Sequence, residues 1–235
     1  MAIPHSLDPE RVARVTDALA SGSGSSERSL CTSSAAVAGV DGAGVVLIMH
    51  GHALGTVCSS DSIVEAVEEV QYNLGEGPCL EAFATREPVL ISDLAAEDAV
   101  RWPGFREGAL EAGVRAAFGF PILVGSVCIG ALNLYQRRPG ALRDTQFADA
   151  LAVAHVAGRT LLNWQSVAGE GSLARRLEHL PVNRAVVHQA AGMISVQAEV
   201  ALDDALALLR ARAFSDNRPI NEVAIDVVRR DLRFG

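Results

Sequence analysis

The chain has 235 residues, 49% of them hydrophobic and 20% charged, with a formal net charge of −8 at pH 7. That length builds one medium domain plus a small one. The acidic balance argues against a broad nucleic-acid-gripping surface, and no apolar run approaches the ~18 residues of a membrane span.

The charge is unevenly spread. Residues 170–235 hold nine arginines and nine acids, so that part is neutral and the first 169 residues carry the excess. The chain has no lysine, and its alanine- and arginine-rich composition is that of a high-GC bacterial source. Cys31, Cys58, Cys79 and Cys128 form no CxxC pair, and no leader-like segment opens the chain. They are therefore expected to be reduced thiols in a cytoplasmic protein, with no cofactor. His50 and His52 alternate on one strand face, which we read as a surface turn rather than a metal pair.

Residues 1–27 form an N-terminal helical segment, with Asp8 and Pro9 opening a helix over 8–20 and Ser21 to Ser26 interrupting it. A second helix covers 27–38 and ends at Gly39. Gly44 to Met49 and Ala53 to Ser59 read as a hairpin joined through His50-Gly51-His52. A helix over 62–73 carries Ile63, Val64, Val67 and Val70 on one side, and Gly75 to Phe83 breaks and restarts the chain. Val89 to Ile91 is a short strand, 102–112 a helix or loop, and Ala116 to Leu123 and Val127 to Tyr135 a second hairpin. Short hairpins with helices before, between and after them indicate an antiparallel α+β domain.

This order, with Gly75-Glu76-Gly77-Pro78-Cys79, the strand ending Ser92-Asp93 and the Gly119 to Leu134 hairpin, resembles a GAF domain over 28–165. The run GEGPCLEAF is similar to the GAF domain fused to ANTAR domains in actinobacteria. The resemblance implies a sensory domain for a small ligand or a redox state. Gly75, Glu76, Gly77 and Cys79 in the turn, with Trp102 and Phe105 as aromatic walls, are the candidate sensing residues. Cys79 follows Gly-Pro at a helix start, where backbone N–H groups would lower a thiol pKa. Its bland alternative is a buried residue in a sharp turn.

Residues 143–176 read as a connector helix so apolar that it packs both on its own sheet and on a second copy, giving a homodimer. Gly169-Glu170-Gly171 weakens it and marks the joint through which an input would pass. Three short amphipathic helices follow, and none is stable alone in water. Their stripes run through Val187, Ala190 and Ile194, through Leu206 and Leu209, and through Ile220, Val223, Ala224 and Val227. Asn183 is read as a cap, Asp203 and Asp204 as first-turn acids, and Pro219 as near the first helical position. His188, Ala191, Gly192 and Ser195 are placed opposite the apolar stripe.

Arg184, Gln189-Ala190-Ala191-Gly192-Met193 and Asn217-Arg218-Pro219-Ile220-Asn221-Glu222-Val223-Ala224 make 177–235 resemble the ANTAR domain. That family is the RNA-binding output module of transcription antitermination regulators. The resemblance implies stem-loop RNA in leader transcripts as partner, Arg184, Arg210, Arg212 and Arg218 as phosphate contacts, and His188, Gln189, Ala191, Gly192 and Ser195 on the RNA face. The family carries lysine where this chain has Ala191.

Two other classes compete. A DNA-binding helical regulator needs a basic recognition helix, whereas the third helix offers Asn221, Glu222, Asp226 and Arg229 outward. A redox-active GAF enzyme of the thiol or methionine sulfoxide reductase type would use Cys58, Cys79 or Cys128, but these are isolated, and Cys128 alternates with core residues. With no nucleophile elbow, phosphate loop or dinucleotide fingerprint, the expectation is a non-enzymatic regulator.

Overall fold

A computed structural model describes residues 7–21, 27–49, 52–96, 101–167 and 183–235. Gly169 to Gly171 and Leu173 to Leu180, the expected joint and its continuation, lie outside the described residues, as does His50.

Five strands form one sheet: β1 (Gly42–Met49), β2 (His52–Ser59), β3 (Val89–Ile91), β4 (Ala116–Val124) and β5 (Val127–Gln136). Their order is β2-β1-β5-β4-β3 with every neighbour antiparallel, so β1 pairs with both its hairpin partner and the distant β5. β4 is buried from Ala116 to Ile122, as a strand covered on both faces must be.

Helices cover the two faces. On one lie α1 (Pro9–Ser21), α2 (Glu27–Ala38) and α6 (Asp144–Val167), packed against Val45, Leu47, Phe118, Phe120, Leu132 and Leu134. On the other lie α3 (Ser62–Leu74), α4 (Pro78–Thr85) and α5 (Pro103–Glu111). The alternation of β5 serves both, with Leu132 and Leu134 on the first face and Ala131 and Tyr135 on the second.

The apolar excess of the connector finds its partners within the chain. Ala150, Val153, Ala157 and Leu161 are buried by α1, α2 and β4, and Arg11 and Arg14 of α1 both pair with Asp149. Among the α6 side chains described, Leu162 is the large apolar one that remains open, at 40% exposure.

Cys31 and Cys58 correct the expectation of free thiols. They are joined in a disulfide between α2 and β2, with Cα atoms 5.9 Å apart, and both are buried. Twenty-seven residues separate them, so only the packing of α2 on the sheet brings them together.

The last three helices are α7 (Asn183–Ala198), α8 (Leu202–Ser215) and α9 (Ile220–Arg229). Val187, Ala190, Ile194, Leu206, Leu209, Ile220, Val223 and Val227 form their common core. Pro219 sits at the cap position of α9, and the α9 exit is closed by the tail, whose Phe234 N–H donates to Gln197 Oε1 at 3.0 Å. The same apolar cluster continues into Tyr72 and Cys79, so this module rests on the α3–α4 side of the sheet domain.

Candidate functional site

The turn singled out in the sequence is built by two glycines. Asp61 opens α3 by accepting from the N–H groups of Ile63 and Val64, and Gly75 closes it in the left-handed region at φ 67°. Gly77 follows at φ 135°, where a Cβ would lie 2.3 Å from the Gln71 side-chain oxygen. Pro78 then starts α4. The side chain of Glu76 reaches across the turn, and its Oε1 accepts from the N–H groups of Gly104 at 2.9 Å and Phe105 at 3.0 Å. Glu76 thereby caps α5 with a carboxylate, a role the sequence reading did not foresee.

Of the two expected aromatic walls, Phe105 is fully buried and belongs to the core beneath α5, together with Ala109 one turn on. Trp102 is half-buried, stands edge-on to Phe105 at 6.2 Å, and carries the Arg101 guanidinium 4.6 Å from its ring centre. Arg101 also pairs with Glu81.

Cys79 is completely enclosed, and its thiol pKa lies well above the ordinary value, contrary to the lowering expected at a helix start. Burial is the main cause and the neighbouring Glu68 carboxylate the second. Cys128 is also shifted up, mainly by burial.

Around Cys79 lies a polar cluster that the sequence reading missed. Glu68, Gln71, Asn133 and Tyr135 are all buried at or below 2% exposure. Glu68 Oε1 accepts from Asn133 Nδ2 at 2.8 Å and from the Tyr135 hydroxyl at 3.1 Å. Gln71 Nε2 donates to Tyr135 at 2.9 Å, while Gln71 Oε1 accepts from the Cys79 N–H at 3.2 Å. Gly44 makes the room, since a Cβ there would lie 2.3 Å from Glu68 Oε1. Tyr135 is held well above its usual pKa by burial first and Glu68 second. A signal was available: Val64, Glu68, Gln71 and Gly75 share one face of α3, and Asn133 alternates with buried neighbours on β5.

The residues expected on the RNA face differ in burial and in the partners they hold. His188, Gln189 and Gly192 are exposed on α7, and open space surrounds the Gly192 Cα. Ala191 is 1% exposed, which corrects its placement on the open face. It lies four residues from Val187, and the buried stripe of α7 is wide enough to hold Val187, Ala190, Ala191 and Ile194 together. Ser195 serves the helix end, its hydroxyl donating to the Val200 carbonyl at 2.6 Å. Arg184 lies in the first turn of α7. Arg212 pairs with Asp216 at 2.7 Å and Arg218 with Asp226 at 2.8 Å, and Asp226 is the main reason the Arg218 pKa is raised. Arg210 is half-buried against Gly75, and burial lowers its pKa.

No described helix is long and apolar enough to cross a membrane, and no described cluster of three or more His, Cys, Asp or Glu residues has metal-binding geometry.

A five-stranded antiparallel sheet of order 2-1-5-4-3 with helices on both faces defines an α+β sensory-type fold. The GAF domain model matches residues 28–161, more than half of the chain, and the chain belongs to the GAF domain family. Among solved structures it is similar to the GAF domain of an Acinetobacter phosphoenolpyruvate-protein phosphotransferase. That match has 15% identity and a TM-score of 0.51, covering 68% of this chain and 95% of that one. A domain of a putative two-component sensor histidine kinase protein from Sinorhizobium meliloti 1021 has 20% identity and a TM-score of 0.47, covering 73% and 99%. A type II free methionine-R-sulfoxide reductase from Thermoplasma acidophilum stands lower, at 15% identity and a TM-score of 0.39, covering 53% and 80%. No functionally curated protein matches the chain. The likeness to the Acinetobacter domain shows the fold, and membership of the GAF family makes this a signal-sensing kind of regulatory domain.

Proposed function

We propose that this protein is a signal-responsive RNA-binding regulator, in which the GAF domain senses a small ligand and the C-terminal three-helix module binds stem-loop RNA so that transcription continues past a terminator. The observation that carries the reading is the open stretch of α7. Gln189 and Gly192 of the ANTAR-like motif and His188 just before it are exposed, and nothing lies within 4 Å of a would-be Gly192 Cβ. Glycine in an exposed helix interior costs about 1 kcal/mol against alanine, and close approach to a loop backbone is what such a gap allows. Arg212 on α8 and Arg218 just before α9 are partly exposed cations of the same module, each able to exchange an acid partner for a phosphate.

Gly192→Gln tests this directly. The fold should hold or gain slightly in stability, while affinity for a dual stem-loop RNA falls at least tenfold in fluorescence anisotropy. Unchanged RNA affinity with an intact fold would remove α7 from the interface. Sequencing the RNA that co-purifies with the protein would supply the target.

A DNA-binding reading fares worse, because Arg218 faces Glu222 and Asp226 on α9, an acidic surface for a duplex. A thiol enzyme is the remaining rival. Against it stand the enclosure and raised pKa of Cys79 and the pairing of Cys31 with Cys58, since the thiolate is the reactive form. For assembly we propose a homodimer through the part of α6 around the exposed Leu162, which light scattering at micromolar concentration would refute with a monomer mass.

A further inference from the structure

Where α8 meets the sheet domain there is an open-mouthed cleft of about 410 Å³. One wall belongs to the GAF domain, with Leu74 at the end of α3 and Pro103 and Glu107 on α5. The other belongs to the C-terminal module, with Arg210 and Phe214 of α8. The size is that of a small-ligand site.

The cleft contains a chemical asymmetry. The Arg210 guanidinium lies flat on Gly75, so close that a Cβ there would be 2.3 Å from Cζ. Its Nε is sealed from solvent and has no hydrogen-bond acceptor. No carboxylate among the described residues ion-pairs with it. The nearest acid along the turn, Glu76, is engaged on the α5 N-terminus. A partly desolvated cation with no anion partner among the described residues is an unfilled demand, because guanidinium groups taken out of water are ordinarily paired. Beside it Phe214 is 75% exposed and Leu74, Pro103 and Ala211 add apolar surface for a flat apolar body, while the acids Glu76 and Glu107 also line the cleft and confine an anion to the Arg210 side.

We propose that this cleft binds a small organic anion, a carboxylate or phosphate carried on an aromatic or compact apolar body, with the anion on Arg210 and the body against Phe214 and Leu74. The site is separate from the polar cluster around Cys79, whose space is filled by the chain's own side chains. Its occupant touches both domains and therefore favours the docked arrangement over any arrangement that parts them. The proposal stands on the cleft alone and does not need the RNA reading.

Phenyl phosphate and phenylacetate are the probes, with benzyl alcohol as the body without the anion and inorganic phosphate as the anion without the body. Titration calorimetry on the full chain should show saturable binding of at least one aromatic anion, tighter than either control. Arg210→Gln, checked for an unchanged circular dichroism spectrum, should weaken it at least tenfold. Gly75→Asn supplies a second variant. Asparagine tolerates the left-handed backbone, and its Cβ pushes the guanidinium from its seat without removing it. It should weaken binding as well. Phenyl phosphate stronger than phenylacetate identifies a phosphate site, and the reverse order a carboxylate site. Absence of saturable binding by both anions up to about 10 mM, tenfold above the millimolar Kd of a fragment, overturns the proposal. So does binding that survives Arg210→Gln and Gly75→Asn unchanged.

Discussion

Glu68 and Arg210 are ionisable side chains taken out of solvent near the two ends of one stretch of α3, and the chain treats them in opposite ways. Glu68 is surrounded by donors, with Asn133 at 2.8 Å and Tyr135 at 3.1 Å, and Gly44 is left without a side chain to admit it. Arg210 rests on Gly75 with its Nε unanswered. The first arrangement specifies one packing of α3 and α4 on the sheet, because every alternative strands polar groups. The second specifies nothing about the fold by itself and leaves interaction energy unspent at a domain junction. In this pair the carboxylate with its donors belongs to the structure, and the guanidinium without an acceptor on Nε marks the place proposed for a ligand.

The sharpest way to break this contrast is to remove Glu68. Glu68→Leu leaves the Tyr135 hydroxyl and the Asn133 amide without their acceptor, two buried donors at roughly 1–3 kcal/mol each. A loss of about 4 kcal/mol is expected in urea unfolding, with Glu68→Gln losing much less because it keeps Oε1 as an acceptor. Equal and small losses for both would show that the cluster is not what fixes this face.

The comparison also explains what the sequence could reveal. The strands and helices were legible because their turns carry strong signals, such as Gly39 after α2, Gly75 after α3 and Pro78 at the start of α4. The GAF resemblance followed from the same residues. The sheet order was not legible, since β1 pairs with β5 across a long loop and nothing local encodes that partner. Glu68, Gln71 and Asn133 escaped because a polar residue on an amphipathic helix reads as solvated unless its opposite strand face is known. Ala191 escaped for the converse reason: small side chains weigh little in an apolar stripe, so the stripe of α7 looked narrower than it is. The disulfide was hidden by the same dependence on packing between layers.

Ala191 supplies the second test, one that forces an unpaired charge where the chain has none. Ala191→Lys, which installs the residue that the ANTAR resemblance implies here, places an ammonium group in the core of the three-helix module. A loss of about 3 kcal/mol is expected even if the long side chain partly escapes to water. Thermal unfolding followed by circular dichroism measures it, and a stability within error of the parent would return Ala191 to the open face.

The satisfied side of the contrast has a pH signature. The Cys79 and Tyr135 pKa values are both raised in the folded chain, mainly by burial, above ordinary values of 9.0 and 10.0. Below about pH 9 both are protonated folded and unfolded, so neither makes stability depend on pH. Above it the unfolded chain releases protons that the folded chain retains, and stability falls as pH rises. Each group contributes about 1.4 kcal/mol per pH unit beyond its unfolded value. Between pH 8 and 10 Cys79→Ala should therefore lose about 1.4 kcal/mol less than the parent. Parallel pH curves for the two proteins would mean that the thiol ionises as readily folded as unfolded.

The smallest effect belongs to Arg210 and completes the contrast. If its guanidinium answers no group of this chain, removing the charge while keeping the aliphatic reach sacrifices little. Arg210→Met keeps contact with Gly75 and the Tyr72 side of α3, deletes an unmet donor and relieves the desolvation that depresses its pKa. Replacing a poorly compensated buried charge by an apolar side chain of similar length is commonly neutral or stabilising. Urea midpoints of Arg210→Met and the parent are expected to agree within about 1 kcal/mol, with any difference favouring the variant. A loss approaching that of Glu68→Leu would reveal a hidden partner for Arg210 within the chain. The cation would then be part of the fold, like Glu68, and the junction would have no vacancy to fill.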